Sequence, residues 1–204
     1  MARRTGTTGA ETAQKLTESA LTLFARDGYA AVSMRAIAAK TGIQAGAIYN
    51  HFATKQDILK HLLTAHMEAL LAAWEAEPEA GTQAPRAALE AFVRFHVRYH
   101  LDRHREIYIS YMELRNLDDG NFSEIRRMRR AYEAIPRAII DRGVADGSFS
   151  VLDPQVTTMA IIATLNGMSI WYKKEGRLSL DAIEDLHIAL VTRMVGATKG
   201  TADV

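Results

Sequence analysis

Seven polar side chains, Ser33, Arg35, Gln44, Tyr49, Asn50, His51 and Lys55, surround an almost bare run, Ala45-Gly46-Ala47, in the stretch GIQAGAIYNHF and its flanks. A core helix would fill positions 45 to 47 with Leu, Ile or Val, and an isolated surface helix would favour Glu, Lys and Ala over a central glycine. The missing side chains therefore read as clearance for something large. The groups around them are hydrogen-bond donors suited to a polyanion. Tyr49, Asn50, His51 and Lys55 fit phosphate oxygens, and Arg35 is the long donor best placed for a guanine edge, which a guanidinium meets in a bidentate pair. Because Ala45, Gly46 and Ala47 offer a base no hydrogen bond, sequence preference should lean on Arg35, Gln44 and the shape of the duplex.

Other chemistries find less support. The chain has no cysteine, which excludes a disulfide framework, a thiolate metal site and a cysteine nucleophile. It shows no nucleophile elbow, no phosphate-cradling glycine loop and no HExxH, and its carboxylates are not paired beyond the spacing of a helix surface. No catalytic residue and no cofactor are expected, and an all-α enzyme is the weakest reading. His96, His100 and His104 recur at four-residue intervals, a spacing that two metal ligands on one helix face can use. Asp102-Arg103 breaks that helix before the third histidine, so no metal site is expected.

Charge supports a polyanion contact near the N-terminus. The net charge is only +1, yet residues 1–60 hold eight Lys or Arg against four Asp or Glu, leaving the remainder slightly acidic. The composition, 48% apolar and 24% charged over 204 residues, is that of an ordinary folded protein with one large domain or two small ones. The N-terminus MARRTGTTGAET lacks the apolar stretch of a signal peptide. The most apolar segment, Val156 to Tyr172, is interrupted by Thr157, Thr158, Thr164, Asn166 and Gly167. A cytoplasmic protein without a membrane span is expected.

The elements that must position these groups are helices. Apolar residues recur at helical spacing throughout, and no segment shows the alternation and hairpin turns of a sheet. The expected fold is all-α, with about nine helices. Leu16, Ala20, Leu23 and Phe24 mark a first helix over about residues 10–27, closed by Gly28. Ser33 caps a short second helix that Thr41-Gly42 stops, and residues 42–52 follow as a third, with Ile43, Ile48 and Phe52 inward. Thr54 and Asp57 open a fourth helix that runs towards Trp74. The break EAEPEAGTQAP precedes helices over about residues 86–101 and 103–117, then a long one capped by Ser123 that Pro136 should bend. Two final helices start at Pro154 and Ser179. Helices two and three, joined at a glycine corner, form a helix-turn-helix, whose second helix enters the major groove with its N-terminus and positive dipole foremost.

The run VSMRAIAAKTGIQAGAIYNHFATKQDIL resembles the DNA-binding signature of the tetracycline-repressor (TetR) family: a Ser or Thr, an Arg, an Ile-Ala pair, a Gly, then Tyr-x-His-Phe and a Lys at these spacings. The likeness spans about residues 12–60. It implies that Ser33 and Arg35 contact DNA, that Ala45, Gly46 and Ala47 face bases, and that Tyr49, His51 and Lys55 grip phosphates. Gln44 stands where the family often has a Ser or Thr cap, and Ala36 replaces a frequent Asp. The implied organisation is a helix-turn-helix DNA-binding domain over residues 1–55 and an effector-binding and dimerisation domain over residues 56–204.

A single helix-turn-helix reads too little DNA for tight binding, so a homodimer on a palindromic or near-palindromic operator is expected, with half-sites one helical turn or a multiple apart. Ala160, Ala163 and Gly167 form a small-residue strip, and Ile183, Leu186, Leu190 and Met194 an apolar stripe; together with their mates they would build a four-helix bundle. The middle helices leave room for a small-molecule effector. Phe92, His96, Tyr99, Ile109, Met112, Tyr132, Leu165, Asn166, Trp171 and Tyr172 mix apolar and polar aromatic character in the way of pocket linings. Arg126, Arg127, Arg129 and Arg130 read as a solvated face, though they would also suit a phosphate-bearing ligand head. The stretch SIWYKKEGRLSLDAIEDL is similar to regulators of fatty-acid and steroid breakdown that answer to acyl-CoA thioesters, which makes an acyl-CoA the first effector to test. The expected function is a ligand-released transcriptional repressor. A DNA-binding activator or architectural protein without an effector stands as the alternative.

Overall fold

The computed structural model describes residues 9–197, and among these residues it contains helices and turns but no strand. The α-helices are α1 (Gly9–Asp27), α2 (Met34–Thr41), α3 (Lys55–Glu75), α4 (Pro85–Leu101), α5 (His104–Met112), α6 (Asp119–Ala145), α7 (Pro154–Trp171) and α8 (Leu180–Met194). Two short 3-10 turns, Ala47–Asn50 and Leu114–Asn116, complete them. None of these helices is long and apolar enough to cross a membrane.

Local chemistry sets most of the boundaries. The Ser33 hydroxyl accepts a hydrogen bond from the Ala36 amide at 3.1 Å and opens α2. Gly42 closes α2 with a φ of 79°, in the left-handed region that favours glycine. Thr54 and Asp57 form a reciprocal capping box at the start of α3: the Asp57 carboxylate accepts from the Thr54 amide at 2.8 Å, and the Thr54 hydroxyl accepts from the Asp57 amide at 3.1 Å. Asp153, ahead of Pro154, and Ser179 start α7 and α8 with single caps, their side chains accepting from the Val156 and Ala182 amides.

Two expectations need correction. Residues 42–52 do not form an α-helix. They make a turn in which the Ala47 amide donates to the Gln44 carbonyl, followed by the four-residue 3-10 segment. The Ala47 and His51 amides each donate to the carbonyl three residues back, so this segment lacks the α-helical ladder whose summed dipole could favour phosphate. The long helix α6 begins four residues before Ser123, because Asp118 caps it: its carboxylate accepts from the Asn121 amide at 2.8 Å, and Ser123 donates back to the Asp119 carbonyl. Pro136 lies inside α6, where the sequence reading placed it.

The chain gathers into two compact units, one holding residues up to Met67 with Arg105–Arg126, the other holding Glu68–His104 with residues from Arg127 onward. The first is therefore discontinuous in sequence and larger than residues 1–55. Its core holds the buried side chains of Leu16, Phe24, Ile37, Ile48, Ile58, Ile107 and Ile125. The second is built on α4, which packs against α7 and α8 and buries Phe92, Val93 and Val97 among Ile161, Leu165, Ile183 and Val191. Glu184 of α8, fully buried, accepts two hydrogen bonds from the Arg98 guanidinium of α4 at 2.6 and 2.9 Å, and Arg94 lies 3.4 Å away.

Candidate nucleic-acid interface and the polar core of the second unit

Gly42 and the buried Ile48 fix the segment 43–50 from within. Between and around them Arg35, Gln44, Ala45, Gly46, Tyr49 and Asn50 are exposed, while Ala47 and His51 are half-buried. Tyr49 is an unusual surface residue: 57% of it is exposed although its neighbour Ile48 is wholly buried. A phenol held outward beside a buried anchor is a pre-oriented donor whose apolar ring has found no place in the core. Gly46 has a φ of −70°, a conformation open to any residue, and a Cβ added there would meet nothing within 4 Å. Neither backbone nor packing within the chain requires glycine at this position.

Lys55 sits differently from the phosphate-gripping position expected of it. Its ammonium donates to the Tyr29 and Val32 carbonyls, both at 2.8 Å, and lies 4.1 Å from the centre of the Tyr29 ring. Burial pulls its pKa below the ordinary lysine value, an effect that the nearby Glu113 carboxylate offsets in part. Lys55 thus staples the turn between α1 and α2, the turn that leads into Ser33 and Arg35. Sequence reasoning missed the nearby Glu113, which is buried and accepts from the Tyr29 amide at 3.1 Å and from Asn116 Nδ2 at 2.6 Å. Gln56 joins them: its amide donates to the Asn116 carbonyl and its oxygen accepts from the Asp118 amide at 3.3 Å. No local pattern could have marked Glu113, because Tyr29 lies 84 positions away along the chain.

In the second unit the structure brings together part of the expected effector set. His96, fully buried, stands between two partners at 3.0 Å: its Nε2 donates to Asn166 Oδ1, and its Nδ1 accepts from the Tyr132 hydroxyl. Burial pushes the His96 pKa down to about 3, so the ring is neutral at ordinary pH and can hold this donor and acceptor pair. Phe92 and Leu165 are buried nearby in the same unit, and Phe92 lies 5.6 Å from Tyr132, ring centre to ring centre. His100 stacks on His96 at 3.7 Å and donates from Nδ1 to the His96 carbonyl at 2.8 Å. The four-residue spacing therefore produces stacked rings here, and His104 is exposed beyond the end of α4. Among the described residues no group of three His, Asp or Glu could hold a metal ion.

The rest of that set is placed elsewhere. Ile109 and Met112 lie in the first unit, where Ile109 is buried and Met112 exposed. Tyr99 is buried against Phe95 on one side, and the Arg103 guanidinium covers its ring at 3.9 Å. Trp171 and Tyr172 line a cavity of about 250 Å³ at the junction of α7 and α8 with Lys173, Gly176, Arg177, Leu178 and Ile183. Of the expected dimer residues, Ile183 is fully buried within its own unit and is corrected to a core residue. Leu186, Leu190 and Ala163 are exposed, and Ala160, Gly167 and Met194 half-buried. Val156, Met159 and Ile170 of α7 are exposed as well, which sequence periodicity could not distinguish from core positions.

Two family models match the chain. "Bacterial regulatory proteins, tetR family" covers residues 16–62, and "Tetracyclin repressor-like, C-terminal domain" covers residues 82–195. Among curated proteins, the HTH-type transcriptional repressor KstR2 of Mycolicibacterium smegmatis is 27% identical over 202 residues, 98% of each chain. Among solved structures, a bacterial regulatory protein in the tetR family from Rhodococcus RHA1 superposes with a TM-score of 0.85 at 28% identity, covering 93% of this chain and 99% of that one. The fold is also that of AibR, solved in complex with isovaleryl coenzyme A and operator DNA: the TM-score is 0.79 at 21% identity, over 92% of this chain and 100% of that one.

Proposed function

The chain belongs to the tetR family of bacterial regulatory proteins, and we propose that it is a transcriptional repressor that binds a palindromic or near-palindromic operator as a homodimer and is released by an acyl-CoA effector. The observation that carries the DNA reading is the set of exposed residues Gln44, Ala45, Gly46, Tyr49 and Asn50 about the buried Ile48, open around a Gly46 that the chain itself does not require and with the exposed Arg35 on α2. Residues up to about 55 would read the duplex. Ser33 would serve first as the cap that aims Arg35, and Tyr49, Asn50 and His51 would supply neutral donors to phosphates. The remainder would bind effector and partner.

The homodimer reading is supported by the exposed apolar side chains of α7 and α8, Val156, Met159, Ile170, Leu186 and Leu190, about a Gly167 that a Cβ would not crowd. Three things support a thioester effector: the likeness of the C-terminal stretch to acyl-CoA-responsive regulators, the isovaleryl coenzyme A bound by AibR, and Lys173 with Arg177 beside an otherwise mixed cavity. Release would require that the effector bind one arrangement of the chain better than the other. Helix α3, which starts beside the reading segment and gives its later residues to the second unit, is the connecting element.

The test has two arms. A duplex is selected from a random pool by the purified chain, and its binding is followed by fluorescence anisotropy. Short, medium and long acyl-CoAs are then titrated in and their heats of binding measured. Selection of a duplex with two symmetric half-sites, released by one chain length, is the expected result. No selected duplex would refute the DNA reading. A duplex that every acyl-CoA leaves bound, with no heat, would refute the effector and leave an activator or architectural protein.

A further inference from the structure

We propose that Glu113, acting with Lys55 and Gln56, is a positioning residue for DNA recognition: it fixes the turn between α1 and α2, and thereby the aim of Ser33 and Arg35. This rests on the DNA-binding reading above and adds to it a determinant outside the helix-turn-helix motif.

Tyr29 is held through both of its peptide groups. The Tyr29 amide donates to the Glu113 carboxylate, and the Tyr29 carbonyl accepts from the Lys55 ammonium, so a charged side chain holds each end of this residue's backbone. The same ammonium holds the Val32 carbonyl, one residue before the cap of α2. Hydrogen bonds to charged groups are about twice as strong as neutral ones, and buried ones resist exchange with water. Glu113 is itself held by Asn116, whose carbonyl accepts from Gln56 on the first turn of α3. Lys60 pairs with Glu124 at 2.8 Å one turn further along α3. The connection from α5 to α6 is thus strapped to the base of the reading surface by side chains and backbone together. Ser33 and Arg35 have no comparable long-range anchor of their own: Ser33 Oγ is taken by the local cap, and Arg35 is exposed. Their orientation is inherited from the turn that precedes them.

A residue that sets pose affects discrimination between sequences more than attraction to phosphate. Non-specific binding depends on charge and tolerates misalignment, whereas a bidentate base contact is lost with a small displacement. The test measures both on the full-length chain. Anisotropy gives the affinity of wild type, Glu113→Ala, Glu113→Gln and Gln56→Ala for the duplex selected by wild type and for a scrambled duplex of equal length, with melting temperature recorded for each. Glu113→Ala is expected to lower the ratio of selected to scrambled affinity by about tenfold or more while binding to scrambled duplex changes by less than about threefold. Glu113→Gln, which can still accept from the Tyr29 amide, should recover most of the ratio. A purely structural role would lower the melting temperature and both affinities together, leaving the ratio intact; that outcome overturns the proposal. If Glu113→Ala does not fold, Gln56→Ala decides: a falling ratio supports the strap and an unchanged one overturns it. If wild type selects no duplex from the pool, the DNA reading fails first and this inference falls with it; an unchanged ratio after successful selection removes the inference alone.

Discussion

Replacing Gly46 with alanine should move stability and DNA binding in opposite directions. The backbone at Gly46 has a φ of −70°, and a Cβ built there meets nothing within 4 Å, so alanine fits the folded chain without strain. At a compatible position this exchange narrows the unfolded ensemble and stabilises by roughly 0.4–1 kcal/mol. For a protein of this size that corresponds to a rise in melting temperature of about 1–4 °C. On DNA the same methyl group would occupy the clearance that lets the segment approach the groove. Over-filling a close contact costs about 1–3 kcal/mol, a loss of roughly 5- to 150-fold in affinity. Scanning calorimetry and anisotropy on one preparation measure both. A Gly46→Ala chain that melts higher and binds its selected duplex as well as wild type would refute the clearance argument. One that melts lower would refute the statement that the chain does not require this glycine.

Tyr49→Ala should weaken selected and scrambled duplexes alike by about 1 kcal/mol, the worth of a hydrogen bond, whereas Arg35→Ala should lose about 1–3 kcal/mol on the selected duplex and relax preference at one base pair; repeated selection with each variant separates the two. His96 has a folded pKa below its unfolded value, so the stability it contributes is complete above about pH 6.5 and is lost as pH falls towards about 3. Wild type should therefore lose more stability than His96→Gln between pH 7 and pH 4.5, by about one bound proton in the linkage slope. Equal slopes in denaturant titrations would show that the ring protonates freely in the folded state. Arg98→Ala should destabilise the second unit by about 2 kcal/mol, because it removes two charge-assisted hydrogen bonds from the buried Glu184 carboxylate and leaves Arg94 as its nearby cation; an unchanged midpoint in urea would show that water replaces the guanidinium without cost.

The amino-acid sequence determined the helices and where most of them stop, because those signals are local. Ser33, Gly42, Thr54 with Asp57, Pro154 and Ser179 act within four residues of themselves, and each operates as its type implies. The run around GIQAGAIYNHF was legible for the same reason: its function depends on which side chains are missing, and that is written in the chain. It was misread only in conformation. Hydrogen bonds three residues back, from Ala47 to Gln44 and from His51 to Ile48, make a 3-10 turn where the apolar spacing suits an α-helix equally well. Tertiary structure decided what depends on distant partners. Periodicity marks Ile183 and Leu186 alike as apolar, and only packing buries one and exposes the other. Lys55 looks like a surface cation until folding brings the Tyr29 and Val32 carbonyls to it, and Glu113 is unremarkable until it meets Tyr29. Helix boundaries follow from interactions between near neighbours, whereas the burial of a charge is set by elements far apart in sequence, and only the folded chain brings them together.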